Sequence, residues 1–154
     1  MEARQHGQLP CGALLPDQKA PLDQLDPSIR ALVAALNAFP AIQTIGSCGG
    51  HPQPHSGQWP AGSWYVAFQL DGSYEGWQTL RFLAWAINYQ YPDLTQDTGV
   101  VMLIPTARQP WLFGPAYGLE CVVEGSDGAD ADTLATWIEG TRRAYYQDRG
   151  SAAW

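Results

Sequence analysis

Lysine is almost absent from this sequence. Lys19 stands beside seven arginines and 15 acidic residues, and the formal net charge is −7. A protein that neutralises nucleic-acid phosphates needs a cluster of basic side chains, which this composition does not readily supply. Nucleic acid is therefore a disfavoured partner. An acidic surface suits either a soluble protein or one that binds a basic protein partner, and charge alone does not choose between them.

Cysteine is also sparse. Cys11, Cys48 and Cys121 lie far apart, and an odd, scattered set of this kind is not a disulfide framework. The N-terminus lacks the apolar core of a signal peptide, and no segment approaches the roughly 20 apolar residues of a membrane span. We therefore expect a cytoplasmic protein in a reducing compartment, without membrane contact.

Charged residues are few as well, at 15%, whereas hydrophobic residues make up 45% of the 154 positions. This composition favours a folded chain with one hydrophobic core. Residues 1–21 carry Pro10, Pro16 and Pro21 without any sustained period, so an N-terminal arm is expected there, lying on the surface or disordered. Residues 22–150 are expected to form a single globular domain.

Three helices are predicted from apolar spacing and capping residues. The first begins at Asp26 as the cap, with Pro27 in its first turn, and its apolar face comprises Ile29, Leu32, Val33, Leu36 and Phe39. The second follows the turn from Asp71 to Ser73 and is closed by Pro92, with an apolar face of Trp77, Leu80, Leu83, Trp85 and Ile87. The third is capped by Asp130 or Asp132, with Leu134, Trp137, Ile138, Thr141 and Tyr145 on one side.

Four short strands are predicted, from AIQTIGS, SWYVAFQL, TGVVMLIPTA and LECVVEG. The second places Trp64, Val66, Phe68 and Leu70 on one face, and the fourth places Leu119, Cys121 and Val123 together. The resulting order is α-β-β-α-β-β-α. It predicts an α+β fold, a two-layer sandwich in which a mostly antiparallel four-stranded sheet carries the helices on one face.

The stretch from Thr44 to Gly62, TIGSCGGHPQPHSGQWPAG, concentrates the residues that could carry chemistry. Cys48, His51 and His55 have the form C-x₂-H-x₃-H, and both gaps lie in the range used by zinc ligands. These three side chains could bind zinc with one position open, or Cys11 or His6 could complete a structural site. Pro52 and Pro54 stiffen the segment between the two histidines, which makes His55 the weaker candidate.

Cys48 and His51 alternatively form a thiol and imidazole pair. In this interpretation Cys48 is a nucleophile and His51, three residues later, is its base. Papain-like proteolysis is rejected because no histidine follows His55 in the chain. The alternative without chemistry is a tight glycine turn in which Cys48 is a small buried hydrophobic residue.

The glycines of the same turn favour a ligand-binding site. Successive glycines leave main-chain N–H groups that can bind an anion, and tryptophans nearby could stack on a planar ring. Neither G-x-G-x-x-G nor G-x-x-x-x-G-K-[ST] is present. A small-molecule site, for a nucleotide-like or other anionic ligand that is bound or modified, would thus comprise Cys48 and His51 with Thr44, Ser47, Gly49, Gly50, Trp59 and Trp64.

Thr44, Ser47, Cys48 and Gly50 also match part of T-x-S-S-C-S-G-R, the signature of the tRNA methyltransferase family that acts in wybutosine synthesis. The segment from Thr44 to His51 resembles that signature, with His51 in place of its arginine and glycine in place of two serines. The resemblance implies S-adenosylmethionine-dependent methyl transfer, with the Ser-Cys-Gly turn near the cofactor. S-adenosylmethionine and zinc are thus the two cofactors that the sequence suggests.

A non-catalytic function is the remaining alternative. RQPWLFGPAYG places Trp111, Phe113 and Tyr117 in one predicted loop, and such side chains often anchor protein interfaces. Together with the acidic surface, this loop favours an interaction or inhibitor module with a protein partner.

Overall fold

The computed structural model describes residues 21–91, 100–105 and 119–148. Helices α1, α2 and α3 comprise Arg30–Asn37, Tyr74–Trp85 and Ala131–Asp148. Strands β1 to β4 comprise Ile42–Cys48, Trp64–Leu70, Val100–Pro105 and Leu119–Ser126. The predicted α+β class is confirmed, and the elements follow one another in the predicted order. Residues 1–20 of the predicted arm, Pro92, and the loop with Trp111, Phe113 and Tyr117 lie outside the described residues.

The strands pair in the order β1-β2-β4-β3, and every neighbouring pair is antiparallel. β1 and β2 form a hairpin, with an irregular register between Thr44 and Gly46. β3 is an edge strand, and the side chain of Asn88 covers part of its free edge. The Asn88 Nδ2 group donates to the Leu103 carbonyl at 3.1 Å, and its Oδ1 accepts the Leu103 N–H at 2.8 Å. A side chain from the π-helical turn after α2, Ala86–Gln90, therefore takes the place of a neighbouring strand at Leu103.

The main core joins residues of α1, α2 and α3 to alternate residues of β2 and β4. The apolar face predicted for the first helix is buried in it: Ile29, Leu32, Val33, Leu36 and Phe39, of which Ile29 precedes α1 and Phe39 follows it, are at most 1% exposed. The predicted alternation in β2 is confirmed, since Trp64, Val66, Phe68 and Leu70 all join this cluster. Tyr65 and Ala67 point the other way and join Cys48 in a second, smaller cluster. Both faces of β2 are consequently covered.

The face of α2 that packs on the core differs from the prediction. Trp77 and Trp85, predicted to be on the apolar face, are 58% and 46% exposed, while Thr79, Phe82 and Leu83 are buried. A helix turns by about 100° per residue, so Trp85 points roughly opposite to Leu83 and cannot share its face. The predicted face was wrong at Trp85 because it includes positions 83, 85 and 87, which alternate as in a strand. Trp77 lies two residues before buried Thr79 and points away from the core for the same reason.

The predicted caps of the later helices are confirmed. The Ser73 hydroxyl accepts the Gly76 N–H at 3.0 Å at the start of α2. Before α3, the Asp130 carboxylate accepts the N–H of Thr133 at 3.1 Å and its hydroxyl at 2.5 Å. After α2 the chain continues through a π-helical turn, Ala86–Gln90. None of the helices in the described ranges combines the length and hydropathy that crossing a bilayer requires.

Candidate metal site

The loop between β1 and β2 folds back on itself and fixes the backbone of His51. The His51 N–H donates to the Trp59 carbonyl at 2.8 Å, and the His51 carbonyl accepts the Ala61 N–H at 2.9 Å. Gly50 precedes it with φ +83°, a conformation that side-chain-bearing residues rarely adopt. A Cβ at Gly50 would also lie 2.9 Å from the Pro60 carbonyl oxygen. The glycine thus allows the chain to turn sharply and return the imidazole toward the end of β1.

Asp26 contacts this loop instead of capping α1. Its side chain makes no cap hydrogen bond with the turn Pro27–Ile29 that precedes α1. Asp26 Oδ2 accepts the Gly49 N–H at 2.8 Å and lies 3.3 Å from His51 Nε2. The prediction of Asp26 as a helix cap is therefore wrong. A 3₁₀ turn separates Asp26 from α1, so Asp26 does not directly precede the helix, and its carboxylate accepts the Gly49 N–H instead.

Cys48 lies at the inner end of the same arrangement. The residue is only 4% exposed, and its Sγ accepts the Trp59 N–H at 3.4 Å. Trp59 also packs on Tyr65, with their ring centroids 5.0 Å apart, and both border the small cluster that contains Cys48. The thiol is therefore held in an apolar environment with one main-chain donor directed at it.

One donor atom from each of Asp26, Cys48 and His51 lies within 4.8 Å of the other two. Four-coordinate zinc has bonds of about 2.0–2.3 Å, which separate its ligand atoms by roughly 3.3–3.8 Å. The 4.8 Å limit on the three separations exceeds these values by about 1–1.5 Å. The carboxylate and the imidazole are partly exposed, at 35% and 28% of their side chains, so solvent reaches these two ligands, whereas Cys48 is buried. It is the one such three-ligand group within the described residues.

His55, the third ligand in the predicted C-x₂-H-x₃-H pattern, does not belong to this group. It is exposed, and its main chain is hydrogen-bonded to Gln58 through both its N–H and its carbonyl. Asp26 takes its place in the group, although it lies in a different segment of the chain. One signal could have found Asp26. α1 and β1 are joined by a short turn and run antiparallel to each other. The residues before α1 therefore come near the residues after β1.

The other predicted ligand-binding residues lie in different environments. Thr44 is buried, its hydroxyl accepting from Asn37 Nδ2 at 2.9 Å and its N–H donating to Asn37 Oδ1 at 3.1 Å. Trp64 is in the main core and donates from Nε1 to the Ala129 carbonyl at 2.6 Å. Ser47 is half-buried opposite Val66 in the β1–β2 pair. The predicted residues that come together around the group are therefore Cys48, Gly49, Gly50, His51 and Trp59.

Comparisons with protein-family models, with curated proteins and with solved structures return no match for this chain. The resemblance of the segment from Thr44 to His51 to the wybutosine-synthesis methyltransferases stays a prediction. The function is therefore argued from the site.

Proposed function

We propose that this domain binds one transition-metal ion, with Zn²⁺ as the natural choice, through Asp26, Cys48 and His51. The observation that carries this proposal is the approach of a carboxylate, a thiol and an imidazole to within 4.8 Å of one another. Thiolate and imidazole donors favour zinc over magnesium or calcium, and a carboxylate completes donor sets of the same kind. Three protein ligands leave the fourth position of a tetrahedral ion open.

The surroundings of the three side chains support the same proposal. The Trp59 N–H directed at Cys48 Sγ supplies the outer hydrogen bond that metal-bound thiolates commonly receive. The Gly49 N–H holds Asp26 Oδ2 in a similar way. A reducing compartment, expected from the sparse cysteines, would keep Cys48 available as a ligand.

The open position connects this metal site to the small-molecule function predicted from the sequence. Water or an anionic ligand would complete the ion's coordination from the solvent side, where Asp26 and His51 are partly exposed. The Gly49 N–H already donates to Asp26, so the ion, rather than that amide, would supply the attraction for an anion. We accordingly place the ligand at the turn from Ser47 to His51.

Metal titration tests this function directly. Protein made without a histidine tag is stripped with a chelator and titrated with Zn²⁺ in competition with a chromophoric chelator. We expect one ion per chain, and Cys48→Ser or His51→Ala should weaken binding by at least about 100-fold. His55→Ala is the matched control and should bind as the unaltered protein does. Absence of one-to-one binding, or equal losses in His51→Ala and His55→Ala, would refute the proposal.

A second candidate function uses the same side chains without a metal, as nucleophile, base and orienting carboxylate. The 3.3 Å separation between Asp26 Oδ2 and His51 Nε2 favours it, because a carboxylate in that position orients an imidazole. Alkylation kinetics of the metal-free protein test it, with buried Cys121 as the internal reference. Rapid modification of Cys48 that slows in His51→Ala would support this function, whereas rates equal to that of Cys121 would contradict it.

We also propose a two-layer arrangement, with the helices together on one face of the sheet. Its support is the main core cluster, which joins residues of α1, α2 and α3 to one face of β2. The metal group lies at the end of β1, beside the start of α1, where the two layers meet.

A further inference from the structure

The outer face of α2 and of the π-helical turn that follows it carries an unusual number of exposed aromatic side chains. Tyr74, Trp77, Trp85 and Tyr89 are 69%, 58%, 46% and 71% exposed. Arg81, also exposed, lies between them. At about 100° per residue, the members within α2 fall within about 80° of the helix circumference. We call Tyr74, Trp77, Arg81, Trp85 and Tyr89 the α2 aromatic stripe.

The uncovered area of this stripe is large for a chain of this size. A whole aromatic residue presents about 250 Å², so the four leave roughly 600 Å² in contact with solvent. The largest apolar patch on a monomeric protein is typically about 300–600 Å² and often marks a contact site. Two such stripes together would bury about 1,200 Å², the lower limit of a specific protein interface.

The three inner residues of the stripe are spaced symmetrically about Arg81. Trp77 lies four residues before Arg81 and Trp85 four residues after it, so the sequence reads W-x₃-R-x₃-W. A contact around a two-fold axis brings the same patch of both chains together, so that a residue on one side of the axis meets the residue on the other side in the partner. This spacing would therefore place each Trp77 opposite the partner's Trp85. Tryptophan and arginine are also the residues most enriched at the energetic centres of interfaces.

We propose that the α2 aromatic stripe binds a second copy of this chain, with the two α2 helices antiparallel and the two-fold axis at Arg81. In this dimer Trp77 of each copy faces the partner's Trp85, and the Arg81 guanidinium stacks between indole rings. The contact is aromatic, and each chain carries a net charge of −7. Added salt should therefore strengthen the association by screening the repulsion between the copies. The proposal is independent of the metal site.

Sedimentation velocity over a concentration series tests the dimer. We expect a monomer–dimer equilibrium that Trp77→Ala and Trp85→Ala each weaken by at least about 10-fold. Leu22→Ala removes another exposed apolar side chain, outside α2, and should leave the equilibrium unchanged. A protein that stays monomeric up to about 100 μM would overturn the proposal. So would tryptophan variants that dimerise as the unaltered chain does, or a dimer that salt weakens.

Disulfide trapping tests the position of the two-fold axis. In a Cys11→Ser background, Arg81→Cys places two thiols across the axis, whereas the two copies of Gln78→Cys, outside the stripe, are separated by about 9 Å along the helices. Oxidation should give a covalent dimer for Arg81→Cys and none for Gln78→Cys. The background protein, with Cys48 and Cys121 buried, controls for other linkages. The opposite pattern would refute the antiparallel geometry.

Discussion

The Oδ2 atom of Asp26 lies 3.3 Å from the Nε2 atom of His51. The same carboxylate oxygen accepts the N–H of Gly49 at 2.8 Å. One acidic side chain thus connects the turn before α1 to the loop after β1. It holds the imidazole beside the thiol of Cys48, which is the arrangement from which a metal-binding function is inferred.

Asp26→Asn should strongly reduce the affinity for zinc, because a charged ligand is replaced by a neutral amide. Loss of an outer hydrogen-bond partner of a metal ligand typically lowers affinity by roughly 10-fold to 100-fold, and we expect a larger loss here. The amide oxygen can still accept the Gly49 N–H, so the free energy of unfolding should change by about 1 kcal/mol or less. Chelator competition and urea unfolding measure the two effects. The control is Asp23→Asn, which changes an aspartate four positions before the turn Pro27–Ile29. An equal loss of zinc affinity in this variant would contradict the ligand role of Asp26.

Cys121 should make the protein less stable in alkali. Burial, with a smaller contribution from the Glu120 carboxylate, raises the pKa of its thiol from 9.0 to about 11. Because the folded pKa is the higher one, the thiol's contribution to stability is fully present below pH 9.0 and is lost as the pH rises toward 11. Urea unfolding between pH 7 and pH 11 should show a steeper decline for the unaltered protein than for Cys121→Ala. Cys121→Ala should also lower the free energy of unfolding by about 1 kcal/mol at pH 7, independently of ionisation. Parallel pH profiles of the two proteins would contradict the expected effect of the thiol.

Asn88→Ala should weaken the edge of the sheet at β3. The substitution removes both hydrogen bonds to the main chain of Leu103, at 3.1 and 2.8 Å, and we expect it to cost about 1–2 kcal/mol. Hydrogen exchange at the Leu103 amide should accelerate more than the change in global stability explains. Gln90→Ala, in the same π-helical turn, serves as the control. Unchanged protection of Leu103 in Asn88→Ala would show that the Asn88 side chain does not cover this edge.

Asp130 should stabilise the start of α3 in a pH-dependent way. Hydrogen bonds from Thr133, chiefly from its hydroxyl, lower the pKa of the Asp130 carboxyl below 3.8. The folded pKa is the lower one, so this contribution is present above about pH 4 and is lost as the pH falls through the folded value. Asp130→Ala should cost about 1 kcal/mol at pH 7 and less at pH 3. Asp132→Asn, in the first turn of α3, is the matched control, and an equal loss at both pH values would contradict the role of the ionised cap.

Much of the fold could be predicted because it depends on local periodicity. In α1, Leu32 and Leu36 are buried since residues at helical spacing share a face, and in β2 Val66 and Phe68 are buried since alternate residues of a strand do. The Ser73 cap is equally local, because its hydroxyl bonds an N–H three residues later. The prediction failed at Trp85, where two different periods had been combined.

The α+β class and the order of the elements follow from the sequence, because they depend on composition and on contacts between near neighbours, and the return of His51 toward Cys48 depends on a glycine turn only three residues long. Only the tertiary structure decided that Asp26, and not His55, completes the group, because that depends on how α1 packs back along β1. It likewise decided which side of α2 faces the core, leaving Trp77 and Trp85 exposed. Contacts between distant segments are set by packing, which no local pattern in the chain specifies.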